Sequence, residues 1–379
     1  MIKSVFIRRG CLLLVISVLS ATPVSAALLL ATSTTFDSAF TTARAGDTIQ
    51  MTGTFDGLRL QNRSFAKTVT LDATKATFTQ ALQLWSIDNM KVVGGTFKIA
   101  GGALYSRAAA AYNGSNITFI KQTVFGSAGQ YGILIDSTTN GQVSYGTFHG
   151  LRAAIQFSSA NNGLATKNRI YEADSDGIDI ADSHFVTASY NSCSLGNPGI
   201  GVHADCIQLY SFAGKPLQSD ITVAYNTATG PTQGFTSFRT GGGGLRLHIV
   251  NNTVNTSLPQ GVACYDCIDS DVSFNHVGTL PGSAYQTRLN VIGGSNNRVV
   301  GNFVAAFTPV RAAAADFDAV DSFAEDAGPA AASGLLAASS AAAVPEPSSW
   351  TLLILGFGGI GRALRRQARG AGTRQPRIA

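Results

Sequence analysis

The residues best placed to do chemistry lie in two short stretches, Asp174-Ser175-Asp176-Gly177-Ile178-Asp179-Ile180 and His203-Ala204-Asp205-Cys206-Ile207-Gln208-Leu209-Tyr210. In each, polar side chains alternate with apolar ones, the period-2 pattern of a strand with one buried and one displayed side. Aligned on their apolar residues, and with Ala154-Ile155-Gln156-Phe157, they put Gln156, Asp179 and Gln208 in one outward column. Asp176 and Asp205 fall in a second. Stacked parallel strands lie about 4.8 Å apart, so these groups are expected to be neighbours. Two carboxyl groups about 5 to 9.5 Å apart serve glycoside hydrolysis, one as acid and the other as base or nucleophile. On that chemistry Asp176, Asp179 and Asp205 are the candidate catalytic residues, with His203 as an additional general base. Gln156, Gln208 and Tyr210 are the expected substrate contacts. Arg239, one layer further on, would hold a sugar carboxylate through paired hydrogen bonds. Trp85 is a second aromatic suited to stacking on a sugar ring. The plainer reading is that Asp176-Gly177 makes an ordinary turn and the polar column is a solvated face. Glu172, Asp174, Asp176 and Asp179 carry the oxygen ligands calcium prefers, yet their spacing matches no calcium loop, and no cofactor is expected.

Such columns need a repeating frame, and the chain has one. KVVGGTF, IKQTVF, VSYGTF, TKNRI, ASYNSC, VAYNTA, IVNNTV, SFNHV and VVGNFV share one grammar: alternating apolar residues, then Asn, Gly or Gln, then another apolar residue. Gly95, Gln122, Gly146, Asn168, Asn191, Asn226, Asn252, Asn275 and Asn302 are equivalent, at intervals of 27, 24, 22, 23, 35, 26, 23 and 27. Three short strands and three turns use about that many residues, so the expected fold is all-β, a single-stranded right-handed parallel β-helix. It should run from about Gly46 to Val304 in nine or ten coils. A leucine-rich horseshoe has a similar period, but its leucine frame is absent. Asn at the corner is expected to adopt left-handed backbone and to bond its stacked neighbour. The longest interval contains an extra loop, Leu195 to Val202, that would deliver His203 to the polar face.

The two ends have other purposes. Lys3, Arg8 and Arg9 precede an apolar run from Cys11 to Leu19 and a small-residue site at Val24-Ser25-Ala26, which reads as a signal peptide over residues 1–26. The body follows over 27–308, and an Ala-rich acidic spacer, expected to be disordered, over 309–343. The last segment, 344–379, holds Pro345, Glu346, Pro347 and Trp350, an apolar run to Gly361, and arginines that include Arg365 and Arg366. Its apolar part falls short of the roughly 20 residues of a comfortable membrane-spanning helix. Lys3, Arg8, Arg9 and six arginines after Trp350 account for nine of the 27 basic residues, and Glu346 for one of the 22 acidic ones. The body is therefore slightly acidic, and no nucleic-acid partner is expected. Cys193, Cys206, Cys264 and Cys267 could form disulfides after export, in any of three pairings.

Three resemblances sharpen these expectations. PEPSSWTLLILGFGGIGRALRR closely resembles the PEP-CTERM sorting signal. That resemblance implies handling by an exosortase-type enzyme, passage through the inner membrane with transient retention there, and a destination in the periplasm, outer envelope or extracellular matrix. TTFDSAFTTARAGDTIQMTGTFDG resembles the start of pectate-lyase-like β-helix proteins, in which a short capping helix precedes the first strand. Here Phe36, Ala39, Phe40 and Ala43 have helical spacing. DSDGIDI with HADCIQL resembles the polygalacturonase-type hydrolases, with Asp176 and Asp205 on two of the family's three aspartates. Ala204 stands where the family has the first residue of an Asp pair, and TQGFTSF lacks the Gly-His-Gly of the next coil. The R-I-K motif is absent too. Together the resemblances imply a polysaccharide as partner, met by a lyase, epimerase or hydrolase. A non-catalytic matrix or adhesion protein is the alternative.

Overall fold

The computed structural model describes residues 25–99, 106–127, 129–196, 204–238, 243–304, 307–308 and 319–320. They wind as an all-β, right-handed parallel solenoid of about 11 turns, slightly more than the repeat implies. Among the described residues the only helix is Phe36–Thr42. The winding also begins earlier than expected. Leu28–Ala31 pairs in parallel with Thr48–Met51, so one strand precedes the helix. Asp47 fastens this start, accepting the backbone N–H groups of Ala27 and Arg44 at 2.7 Å each. Those donors hold its carboxyl below the usual aspartate range. In the sequence, Leu28–Ala31 is indistinguishable from the apolar flank of the signal peptide.

Each coil presents three faces. Six-residue strands such as Ala153–Ser158, Asp176–Ala181, Asp205–Tyr210 and Gln233–Phe238 form the first. Leu164–Thr166, Thr187–Ser189 and Thr222–Ala224 belong to the second. Arg169–Tyr171, Ser192–Ser194 and Thr227–Gly230 belong to the third. Like strands stack in register, so inward residues form columns. Ile155, Ile178, Ile207, Phe235 and Val262 are one such column, all buried. Near the N-terminal end Phe55, Phe78 and Phe97 stack at centroid spacings of 5.5 and 4.5 Å. The helix closes that end. Its buried Phe36 meets Phe55 edge-on, and Phe40 meets Phe65. A buried Phe contributes about 1.5–3 kcal/mol by leaving water, enough to seat one short helix.

The corner between the second and third faces carries the asparagines. Asn168, Asn191, Asn226, Asn252 and Asn275 each donate to the side-chain oxygen of the next coil's Asn, at 2.9 to 3.1 Å. Each also donates to a carbonyl of the preceding coil, and each backbone N–H bonds the next Asn side chain. All five are buried. The left-handed residue, however, is the one before: Tyr145, Lys167, Tyr190, Tyr225, Asn251 and Phe274 have φ of 56° to 58°. The asparagines turn their amides inward to fill backbone hydrogen bonds.

The open question of pairing is answered by two disulfides, Cys193–Cys206 and Cys264–Cys267. Within the expected spacer, Ala319–Val320 pairs in parallel with Val299–Val300, so that part of it is a strand. The remaining residues of 309–343, the signal peptide and the C-terminal segment, with Pro345, Glu346, Pro347, Trp350, Arg365 and Arg366, lie outside the described residues.

Candidate active site

The first face brings the sequence-selected aspartates together. Asp176 and Asp205 open adjacent strands, and the backbone N–H of Asp205 donates to Asp176 Oδ1 at 3.0 Å. Ser175 donates its hydroxyl to Asp176 Oδ2 at 2.9 Å. Gln156, Asp179 and Gln208 stand in register on three successive coils. Gln156 Nε2 donates to Asp179 Oδ2 at 3.0 Å, and Thr236 donates its hydroxyl to Asp205 Oδ1 at 2.9 Å.

The expected solvated column is instead a buried floor. Asp179 is 6% exposed and Asp205 0% exposed. Gln156, Gln208 and Tyr210 are half-buried. The strands are not simple alternators here. Ala153 pairs with Asp176 and Ile155 with Ile178, while the residue between drops out of the ladder. A Cβ on Gly177 would lie 2.5 Å from the Cys206 carbonyl oxygen and 2.9 Å from Cys193 Sγ. Only glycine fits that approach, and the kink lets Asp176 and Asp179 share one side.

Packing like charges in a dry place changes their chemistry. Burial, then the neighbouring Asp179 and Asp205, push the Asp176 carboxyl well above the usual range. Asp179 is pushed up to about 6 by burial and by Asp205, against the opposing pull of Gln156 and Arg152. Tyr210 is likewise raised, by burial and by Asp179 and Asp176. Asp179 Oδ1 is buried and has no hydrogen-bond partner among the described residues. Arg152, which also acts on Asp174, was not selected from the sequence. It immediately precedes the Ala153 strand, opposite Ser175, so extending the alignment by one residue would have found it.

The remaining candidates fall elsewhere. His203 and Arg239 lie outside the described residues. Trp85 shares the strand-end column of Tyr210, five coils away, where it stacks on Tyr112 at 4.0 Å with Arg59 above it at 4.8 Å. Glu172 is exposed at a turn. Among the described residues no group of three or more His, Cys, Asp or Glu side chains is arranged to hold a metal ion, so the calcium set of Glu172, Asp174, Asp176 and Asp179 is not assembled.

Comparison with known proteins agrees with the winding. Residues 81–265 match the right-handed beta helix region, and residues 343–367 the PEP-CTERM protein-sorting motif. The chain thus carries a right-handed β-helix region and a C-terminal PEP-CTERM sorting motif. That signal indicates export and surface sorting, and implies processing by an exosortase. No curated protein matches the sequence. Among solved structures, the Dettilon tailspike protein is 13% identical, with TM-score 0.45 over 68% of this chain and 62% of that one. A family 28 exopolygalacturonase of Yersinia enterocolitica is 10% identical, with TM-score 0.46 over 76% of each chain. The surface protein and adhesin PfbA of Streptococcus pneumoniae is 12% identical, with TM-score 0.39 over 68% of this chain and 89% of that one. The chain spans less than two thirds of the tailspike protein's length. At such identities the likeness is one of fold alone.

Proposed function

We propose that the protein is an exported glycoside hydrolase that cleaves a polysaccharide of the outer envelope or extracellular matrix on its first face. The observation that carries this reading is the cluster of the buried Asp179 and Asp205 with the half-buried Asp176. A carboxyl titrating near 6 beside another carboxylate is the arrangement that separates an acid from a base on one surface. Asp179, with Oδ1 uncommitted, is the general acid for the leaving oxygen. Asp205, fixed by Thr236 and by its own N–H on Asp176, is the base that activates water. Asp176 is a positioning residue, because both its oxygens are committed to neighbours. Gln156, Gln208 and Tyr210 border the cluster and hold the sugar. His203 and Arg239 remain candidates for the same site by their place in the sequence.

The charge favours hydrolysis over elimination. A lyase or uronate epimerase must seat a sugar carboxylate at the reacting carbon and neutralise it. The aspartates supply no positive charge for it, and within the cluster Arg152 already acts on Asp179. The sugar at the point of cleavage is therefore neutral, whatever acidic units the polymer carries elsewhere. The test is a panel of acidic and neutral polysaccharides incubated with the purified full chain, reading reducing ends and unsaturated ends separately. The reading expects reducing ends alone, with turnover reduced about 10²- to 10⁴-fold in Asp179→Asn and Asp205→Asn. Unsaturated ends would replace it with a lyase. Undiminished turnover in both variants would remove the cluster from catalysis.

A further inference from the structure

A second surface runs along the solenoid at the corner between the second and third faces, away from the carboxylates. Its members are the left-handed residues one position before the asparagine ladder. Lys121, Tyr145, Lys167, Tyr190, Tyr225 and Phe274 occupy it on successive turns, interrupted only by Asn251. Each backbone N–H bonds the next coil, which keeps the column in register. All are exposed, the tyrosines by 47%, 55% and 51%. Tyr190 and Tyr225 stack at 5.0 Å with an interplanar angle of 6°. Lys167 Nζ lies 5.2 Å from the Tyr145 ring and donates to its hydroxyl at 3.1 Å.

The backbone does not ask for these side chains. Left-handed geometry favours glycine and asparagine and penalises bulky residues. The fold mostly uses the favourable solution at its other long corner. There the left-handed residues are chiefly Asn116, Asn140, Asn162, Asp220, Asp269 and Asn296, with Phe185 and Arg246 as the bulky exceptions. The Asn and Asp side chains bond one another, as Asn140 does to Asn116 at 2.7 Å and Asn296 to Asp269 at 3.0 Å. The same turn at the Tyr corner carries exposed rings and ammonium groups. Residues held in sparsely populated backbone geometry while facing solvent point to a task outside the fold.

We infer that this column is a docking track for an anionic polysaccharide laid along the solenoid axis. Because Tyr190 and Tyr225 stack on each other, they turn ring edges and hydroxyls outward at a one-coil interval, suited to hydrogen bonds with the hydroxyls of successive sugars. Lys121, Lys167 and the adjacent exposed Arg169 supply the charge complement, and no carboxylate stands in the column among the described residues. The track is independent of the hydrolase reading, since it lies at a different corner of the coil.

The test is affinity electrophoresis of the purified full chain in gels containing polygalacturonate, alginate or hyaluronan, with dextran as the neutral control. The wild type should be retarded by at least one anionic gel and not by dextran. Tyr190→Asn with Tyr225→Asn should weaken that retardation about tenfold, the loss expected for two hydroxyl contacts, without lowering the melting temperature. Asp179→Asn should be retarded like the wild type. Retardation by none of the three anionic gels overturns the track, as does undiminished retardation of the double variant. A lowered melting temperature would mean that the rings hold the corner together. Loss of self-association in the double variant would make the partner a second copy of this chain.

Discussion

The asparagine ladder and the aspartate cluster are both polar columns buried by the same coiling, and they differ in how their atoms are committed. Along the ladder each amide donates to one carbonyl and one neighbouring Asn, and each side-chain oxygen accepts two N–H groups. Asn is neutral and two-sided, so stacking it leaves nothing unsatisfied. A carboxylate only accepts and repels its neighbour. Stacking Asp176, Asp179 and Asp205 leaves Asp179 Oδ1 without a partner and drives two of the carboxyls to hold their protons. A solenoid repeats whatever stabilises it, so the coils that depart from the saturated pattern are where function is to be sought.

Breaking the ladder should cost the fold most. Asn226→Ala orphans the Asn191 backbone N–H, one proton of the Asn191 amide and the Ala188 carbonyl at once. At about 1–3 kcal/mol for each buried group, a loss of several kcal/mol is expected in denaturant melts. A loss below about 1 kcal/mol would mean that neighbouring coils reseal the gap. Next comes the disulfide behind Asp205. Cys193–Cys206 closes a segment of 13 residues and fixes the strand that carries the aspartate. Removing it with Cys193→Ala and Cys206→Ala should lower stability by about 2–4 kcal/mol and turnover with it. Unchanged turnover would show that the strand ladder alone places Asp205.

The cluster should respond with the opposite sign. Asp179 has its folded pKa raised above the unfolded value, so its contribution is fully present below about pH 4 and is lost as pH rises through about 6. Folding should weaken over that window by up to about 3 kcal/mol. In Asp179→Asn this slope should disappear and stability at neutral pH should rise. A destabilised Asp179→Asn would place the carboxylate among the structural groups. The smallest effect belongs to the surface pair Asp220–Arg246, in which the guanidinium draws the carboxyl down to about 2. Its contribution is present above the unfolded pKa and is lost as pH falls towards 2. Arg246→Gln should change only that acid limb, and by little, because the pair is solvated.

Much of this was legible in the sequence. The intervals between Gly95 and Asn302 gave the coil, and alignment of three apolar frames gave the neighbours Gln156, Asp179 and Gln208. Periodicity could not report depth. Whether a displayed column is wet or dry depends on what stands beside it, and Arg152 and Tyr210 reach the aspartates from other positions in the coil. Nor does residue type locate the left-handed turn. Asn was the natural choice, but the fold needs its amide inside and gives the left-handed position to the preceding Tyr or Lys. The strand Leu28–Ala31 was hidden by its likeness to a leader's apolar flank.

The account rests on a carboxyl, Asp179, that keeps its proton up to about pH 6 beside other aspartates. Carbon-13 NMR titration of the aspartate carboxyls in the wild type and in Asp179→Asn observes that directly. A resonance with a midpoint near 6 that vanishes in Asp179→Asn is the predicted result. If the resonance lost in Asp179→Asn titrates below about 4.5, the cluster is an ordinary solvated face, and the contrast with the asparagine ladder fails.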